Sequence, residues 1–184
     1  AIQTACCWGG GPTGSLVATG GDDGVVRVCN FVARAGGSAL VEVFSSPTAE
    51  LLGRKSDAVR SVAISSRATG QSGGASPESG RFSAAGAPGR GRLLAACVGD
   101  MCIIWDLSLA AVGDRGAVRA MLSCPRHESS AALGFRYCFF PPSASDDAPG
   151  SLYTVQTGGR CGGYICEWST TTWTIRRTMQ AHKS

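Results

Sequence analysis

Short stretches in which apolar and polar residues alternate recur along the chain, and tight turns connect them in pairs. Within Val25–Asn30 the apolar residues Val26 and Val28 lie two positions apart, which is typical of a half-buried β-strand. The Asp23-Gly24 pair before this strand favours a hairpin, because glycine accepts the positive φ that a primed turn requires. The same succession of strand, turn and strand occurs three times along the sequence. The three predicted hairpins span residues 15–30, 93–106 and 152–169.

One further strand is expected before each hairpin and one after it. The strands before the hairpins are predicted at Ile2–Trp8, Val59–Ser65 and Gly134–Phe140. The strands after the hairpins are predicted at Ala39–Phe44, Val118–Ser123 and Trp173–Met179. The sequence therefore predicts an all-β chain of repeated four-stranded antiparallel units. Their expected limits are residues 1–46, 52–124 and 132–180, with residues 181–184 as the start of another unit.

Two irregular stretches lengthen these units. Residues 67–91 contain seven Gly, four Ser and two Pro with almost no periodicity, which indicates a flexible loop inserted into the second unit. The stretch Pro141–Gly150 is rich in turn-forming residues and predicts a second long connection.

The ends of the hairpins carry a recognisable dipeptide. The second and third hairpins end in Trp105-Asp106 and Trp168-Ser169, while Cys29 stands at the matching position of the first. The units resemble WD40 repeats, the four-stranded blades of a β-propeller. The Gly-His pair of that family is represented by Gly53-Arg54 and by Ala181-His182. The resemblance implies a partial β-propeller, with about three blades out of roughly seven, and an internal fragment of a longer protein.

The charges of the chain argue against a nucleic-acid-binding surface. The 17 basic and 13 acidic residues give a net charge of +4. A nucleic-acid-binding protein concentrates its basic residues in a stripe that neutralises phosphates. Here the arginines are spread from Arg27 to Arg177, so no nucleic-acid partner is expected.

Nine cysteines, an odd number, lie along the chain without any C-x-x-C pair or a histidine at ligand spacing. Cys97 and Cys166 lie within apolar runs, where cysteine serves as a small buried apolar residue. Reduced thiols in the core are therefore favoured over a disulfide framework. No metal site is predicted.

Catalytic groups are scarce. The two histidines, His127 and His182, are assigned to a loop and to the Gly-His position of the repeat. Asp22-Asp23 and Asp146-Asp147 are carboxylate pairs in turns, where aspartate caps its own backbone. The Gly9–Gly14 run is assigned to an ordinary turn between strands. No catalytic or cofactor-binding residue is predicted, no enzyme activity is expected, and the partner-binding residues are unknown.

Three features together resemble one family, the endoplasmic-reticulum exchange factors for the Sar-type small GTPase, called in animals the prolactin regulatory element-binding protein. They are the hairpin at Leu16–Val28, the strand at Phe135–Phe140, and Leu152–Gln156 followed by a strand at Tyr164–Trp168. The resemblance implies nucleotide exchange on a Sar-type GTPase, which starts coat assembly for transport from the endoplasmic reticulum to the Golgi. It also implies attachment of the parent protein to the cytosolic face of that membrane.

In this family a glycine-rich loop organised by a potassium ion performs the exchange. That loop belongs to a blade upstream of residues 1–44, and the family's membrane anchor lies after the propeller. The chain itself is therefore expected to hold no cofactor, to make no membrane contact and to act as scaffold. Two alternatives stay open: a WD40-repeat scaffold with an unidentified partner, and a nucleic-acid-binding propeller, whose binding would weaken strongly with salt.

Overall fold

The structure is a computed structural model that describes the chain in nine stretches. They are residues 1–9, 15–34, 37–53, 57–65, 92–107, 118–125, 134–142, 150–157 and 163–181. The predicted insertion at residues 67–91, most of the predicted connection at 141–150 and residues 182–184 lie outside these stretches.

The strands form three four-stranded antiparallel sheets in which neighbours in sequence are neighbours in space. Sheet A consists of β1 (Gln3–Gly9), β2 (Ser15–Gly21), β3 (Val25–Arg34) and β4 (Gly37–Pro47). Sheet B consists of β5 (Val59–Ile64), β6 (Leu93–Val98), β7 (Met101–Asp106) and β8 (Val118–Ser123). Sheet C consists of β9 (Gly134–Phe139), β10 (Ser151–Thr157), β11 (Gly163–Ser169) and β12 (Ile175–Gln180). A short helix α1 (Thr48–Leu52) follows sheet A and ends at Gly53, whose φ of 60° is readily adopted by glycine.

The prediction of an all-β chain built from four-stranded antiparallel blades is confirmed. The exact limits of the blades at residues 1–46, 52–124 and 132–180 stay predictions. In the part of the chain that the structure describes, no helix has the length and apolar content needed to cross a bilayer.

Sheet B lies between the other two sheets, and its first three strands are mostly buried on both faces. Its first strand, β5, packs against β1 of sheet A and against β9 of sheet C. One apolar core, which includes Phe44 and Trp105, lies between sheets A and B, and a second, which includes Phe135 and Trp168, lies between sheets B and C. This position explains the unbroken apolar run of β6, whose six residues are all buried.

The turn between β2 and β3 differs from the predicted primed turn. A type I′ turn needs positive φ at both central residues. Gly24 has a φ of 70°, but Asp23 does not have a positive φ. The loop instead comprises Asp22, Asp23 and Gly24, with the Gly24 N–H donating to the Gly21 carbonyl at 3.2 Å. The hairpin prediction is confirmed, whereas the predicted turn type is wrong.

The last strand begins two residues later than predicted. Trp173 has a φ of 57°, and its N–H donates to the Ser169 carbonyl at 2.8 Å. Ser169 N–H in turn donates to the Thr174 carbonyl at 2.9 Å, which closes the turn between β11 and β12. The left-handed backbone at Trp173 cannot continue an extended strand, so β12 begins at Ile175.

Neighbouring sheets approach each other closely at their inner strands. A Cβ added at Gly20 of sheet A would collide with the Val59 side chain of sheet B. Between sheets B and C, the Phe135 N–H donates to the Gly99 carbonyl at 2.9 Å. A Cβ at Gly134 would lie 2.9 Å from the same carbonyl oxygen. Small residues at these positions therefore permit the inner strands to pack together.

Candidate functional site

Three buried cysteines form the most chemically distinctive group among the described residues. The Sγ atoms of Cys97, Cys102 and Cys138 all lie within 4.8 Å of one another. Cys97 and Cys102 are fully buried, and Cys138 is 5% exposed. We call these three residues the cysteine cluster.

The strand register accounts for the position of the cysteine cluster. Gly99 and Asp100 form a two-residue turn, so Cys97 on β6 stands directly opposite Cys102 on β7. Ser61 on β5 stands opposite Cys97 on the other side. Three strands of sheet B thus present a row of small side chains to sheet C.

Cys138 comes from the inner strand of the next sheet and meets this row. Its backbone N–H donates to Ser61 Oγ at 3.2 Å, which ties β9 to β5. The Cys138 sulfur lies 3.8 Å from Ser61 Oγ and 3.7 Å from the Ala95 carbonyl oxygen. The cysteine cluster is therefore built from both sheets and lies in the core between them.

Hydrogen bonds among the thiols change their acidity. The hydrogen bonds that the Cys97 thiol makes with the thiols of Cys102 and Cys138, together with burial, raise its pKa well above its usual value. The bond to Cys138 and burial likewise raise the pKa of Cys102. The thiols of Cys102 and Cys97 lower the pKa of Cys138, against the effect of burial.

Two other cysteines share this core without joining the cluster. Burial is the main cause that raises the pKa of Cys124 to about 12, and it also raises the pKa of Cys166. The predicted burial of Cys97 and Cys166 is confirmed. The eight described cysteines are free thiols, and Cys161 lies outside the described residues.

The sequence did not predict the cysteine cluster. The two-residue turn at Gly99-Asp100 is enough to place Cys97 opposite Cys102, so half of the arrangement was available from the sequence. The contribution of Cys138 depends on how sheets B and C pack, and the spacing of cysteines along the chain carries no sign of it.

Two exposed aromatic side chains and a half-buried one lie on the face of sheet C that is opposite the core. Phe139 and Tyr153 stack with ring centroids 5.2 Å apart and an interplanar angle of 11°. Tyr137, two residues before Phe139 on β9, is 63% exposed. We call these three residues the aromatic patch. Such a patch can bury large apolar surface against a partner.

Of the two carboxylates that the sequence placed in the first turn, Asp23 caps the backbone of its own turn as predicted, whereas Asp22 binds the backbone that precedes β1. Asp22 Oδ1 accepts from the Ile2 N–H at 2.7 Å, and Asp23 Oδ1 accepts from the Val25 N–H at 3.0 Å. His127, His182 and Asp146-Asp147, together with residues 10–14 of the glycine run, lie outside the described residues.

The residues that carry the resemblance to WD40 repeats make structural contacts. The Trp168 indole Nε1–H donates to Thr154 Oγ1 at 2.8 Å within the core. Asp106 is buried and accepts two hydrogen bonds from the Arg119 guanidinium, at 3.1 and 2.9 Å. Cys29 lies on the face of sheet A opposite the core, at the position that corresponds to the two tryptophans. These contacts hold neighbouring strands of a blade together.

Comparison with known proteins identifies the architecture. The C-terminal WD40 domain of Sif2 is similar in structure, with a TM-score of 0.52 and 10% sequence identity, over 100% of this chain and 39% of that chain. Raptor from Chaetomium thermophilum is similar at a TM-score of 0.40 and 12% identity, over 99% of this chain and 17% of that chain. No protein-family model and no curated protein matches the sequence.

The likeness to the Sif2 domain, together with the three sheets, establishes the fold class. The chain has the fold of WD40-type blades in a partial β-propeller. It spans 39% of the length of the solved domain that it resembles.

Proposed function

We propose that the chain is a protein-binding scaffold that uses the aromatic patch of sheet C as a contact surface. The single observation that supports this role is the stacked Phe139–Tyr153 pair beside the 63%-exposed Tyr137. Tyrosine and other large aromatic residues supply much of the binding energy of protein interfaces. Propeller folds host many functions, so the surface residues and not the fold carry this proposal.

Photo-crosslinking tests the scaffold role. A crosslinking amino acid at Tyr137 is expected to give a discrete adduct with a protein other than a second copy of this chain, and Phe139→Ser should abolish it. The same crosslinker at Arg60, exposed on β5 of sheet B, is the matched control. Equal adducts at both positions, or none at Tyr137 in a folded chain, would contradict the proposal.

A more specific function is nucleotide exchange on a Sar-type small GTPase at the cytosolic face of the endoplasmic reticulum, with this chain as part of the exchange factor. The order of three sequence features, Leu16–Val28, Phe135–Phe140 and Leu152–Trp168, supports it. An exchange factor accelerates nucleotide release by binding the nucleotide-free GTPase more tightly than the nucleotide-bound form. Such a function requires a binding surface and no bond-making chemistry.

Binding to the GTPase in different nucleotide states tests this second proposal. The chain, and in parallel the longer protein to which it belongs, is titrated with Sar-type GTPase that is nucleotide-free, GDP-bound or bound to a GTP analogue. Release of a fluorescent GDP analogue is followed under the same conditions. Preference for the nucleotide-free form, with faster release by the longer protein, is the expected result. Equal binding of the three forms, or no binding, would exclude exchange and leave the scaffold role standing.

A further inference from the structure

The sulfur atoms of the cysteine cluster converge from two sheets onto one point of a dry core. All three Sγ atoms lie within 4.8 Å of one another, and no carboxylate or imidazole belongs to this group of described residues. We propose that Cys97, Cys102 and Cys138 bind a zinc ion as thiolates, with the Ser61 hydroxyl as an oxygen donor beside them.

The distances suit a zinc ion. A Zn–S bond of about 2.3 Å in a tetrahedral site corresponds to sulfur atoms roughly 3.8 Å apart. The sulfurs therefore have to approach by no more than about 1 Å, which small rotations of the cysteine side chains provide. The backbone of the two-residue turn already holds Cys97 and Cys102 opposite each other.

The donor atoms select the class of metal. Thiolates are soft ligands that favour zinc and Cu(I), whereas calcium and magnesium require oxygen ligands. Ser61 Oγ lies 3.8 Å from the Cys138 sulfur and supplies a harder donor on the same side. A set of three sulfurs and one oxygen favours four-coordinate zinc over Cu(I).

The charge balance also favours a divalent ion. Zinc binding releases three thiol protons to solvent and leaves a site with a net charge of −1. Three thiolates with Cu(I) would leave −2 in the same buried place, which costs more desolvation free energy. Because the cluster is closed to solvent, zinc would bind during folding, as sheets B and C come together. The bound ion would then link sheet B to sheet C.

The test uses the full chain with four cysteines outside the cluster removed, while the buried Cys124 and Cys166 are kept. Cys6, Cys7 and Cys29 are exposed or half-buried, and Cys161 lies outside the described residues, so all four are changed to serine. This background protein is unfolded in reductant, refolded with one equivalent of zinc, and passed over a desalting column. Retained zinc is measured by competition with a chromophoric chelator. Cobalt in place of zinc gives sulfur-to-metal charge-transfer absorption and visible bands that report a tetrahedral thiolate site.

Matched variants separate the site from the rest of the core. Cys97→Ala and Cys138→Ala are expected to weaken zinc binding at least about 100-fold. Cys166→Ala removes an equally buried thiol from the same core outside the cluster and is expected to leave zinc binding unchanged. Ser61→Cys is expected to tighten binding, because it offers a fourth thiolate. Circular dichroism and urea unfolding confirm that each variant folds, and Cys97→Val replaces Cys97→Ala if the latter does not.

One zinc ion per chain, lost in the two cluster variants and kept in Cys166→Ala, would support the site. A folded background protein that retains no zinc would overturn it, as would equal losses in Cys166→Ala and Cys138→Ala. Retention of Cu(I) together with rejection of zinc would overturn the assignment of the metal.

Discussion

At the scale of single residues, the hydrogen bond between Trp168 and Thr154 is the clearest link between sequence pattern and stability. Thr154 is fully buried and Trp168 is 5% exposed, so water does not replace the bond when it is lost. Thr154→Val keeps the shape but leaves the indole N–H without this acceptor. We expect the free energy of unfolding to fall by about 1–3 kcal/mol, measured by urea denaturation.

A double-mutant cycle isolates this bond. In a Trp168→Phe background the indole donor is absent, and Thr154→Val should then change the free energy of unfolding by less than about 0.5 kcal/mol. Equal effects of Thr154→Val in both backgrounds would show that the hydroxyl stabilises the core by some other contact.

Asp23 gives the first turn a dependence on pH. The Val25 N–H, and then the Arg27 guanidinium at 3.1 Å, lower the pKa of Asp23 below 3.8. A lowered carboxyl pKa in the folded state stabilises the fold above the unfolded value of 3.8. That contribution is lost as the pH falls through the folded pKa. Asp23→Asn should therefore flatten the acid limb of the stability curve below about pH 4.

Urea unfolding at a series of pH values between about 2 and 6 measures this effect. Arg27→Gln serves as the comparison, and it should flatten the curve less than Asp23→Asn because the backbone bond is the larger cause. A steeper or unchanged acid limb in Asp23→Asn would contradict the assigned role.

At the scale of strands, the close approach of β2 to β5 depends on Gly20. A side chain there would collide with Val59 of the neighbouring sheet. We expect Gly20→Ala to lower the free energy of unfolding by about 1–3 kcal/mol, because a packed interior resists added volume. Adding Val59→Ala to Gly20→Ala should make room and restore part of the loss.

Gly150→Ala is the matched control for this prediction. The nearest atom to a Cβ at Gly150 is an Arg176 nitrogen 4.0 Å away, so the substitution should change stability little. If Gly150→Ala and Gly20→Ala cost the same, the loss would come from backbone flexibility and not from packing between the sheets.

The elements show which features the sequence could predict. Period-two alternation and the Asp23-Gly24 turn gave the hairpins, because these signals depend on residues next to each other along the chain. The start of β12 was missed because a left-handed tryptophan at Trp173 is not a signal that residue type predicts. The cysteine cluster was missed for a different reason, since the place of Cys138 depends on packing between two sheets.

At the scale of the whole molecule, each of the two outer faces of the set of sheets carries exposed apolar side chains. On sheet C the row Tyr137, Val155, Ile165 and Met179 crosses all four strands. On sheet A the rings of Trp8 and Phe31 lie 6.4 Å apart, 57% and 38% exposed. One face of sheet B packs against sheet A and the other packs against sheet C, so face-to-face packing is the normal mode of contact for these sheets.

Head-to-tail association of the isolated chain follows from these two faces. Sheet A of one copy can pack against sheet C of another, a contact that does not close on itself in a pair and so continues to larger assemblies. We expect the weight-average mass of the unsubstituted chain, measured by analytical ultracentrifugation, to rise with protein concentration. Trp8→Ser or Tyr137→Ser removes one large apolar contact and should weaken association about tenfold.

Mixing the two variants is the decisive measurement. Trp8→Ser retains an intact sheet C face and Tyr137→Ser retains an intact sheet A face. At a concentration between the dissociation constants of the intact and the weakened contacts, an equimolar mixture should therefore form dimers while each variant alone is mostly monomeric. Met121→Ser, which removes a 47%-exposed side chain from β8 of the middle sheet, should leave association unchanged. If either variant alone formed as much dimer as the mixture does, like faces would be pairing with each other. That result would contradict packing of sheet A against sheet C.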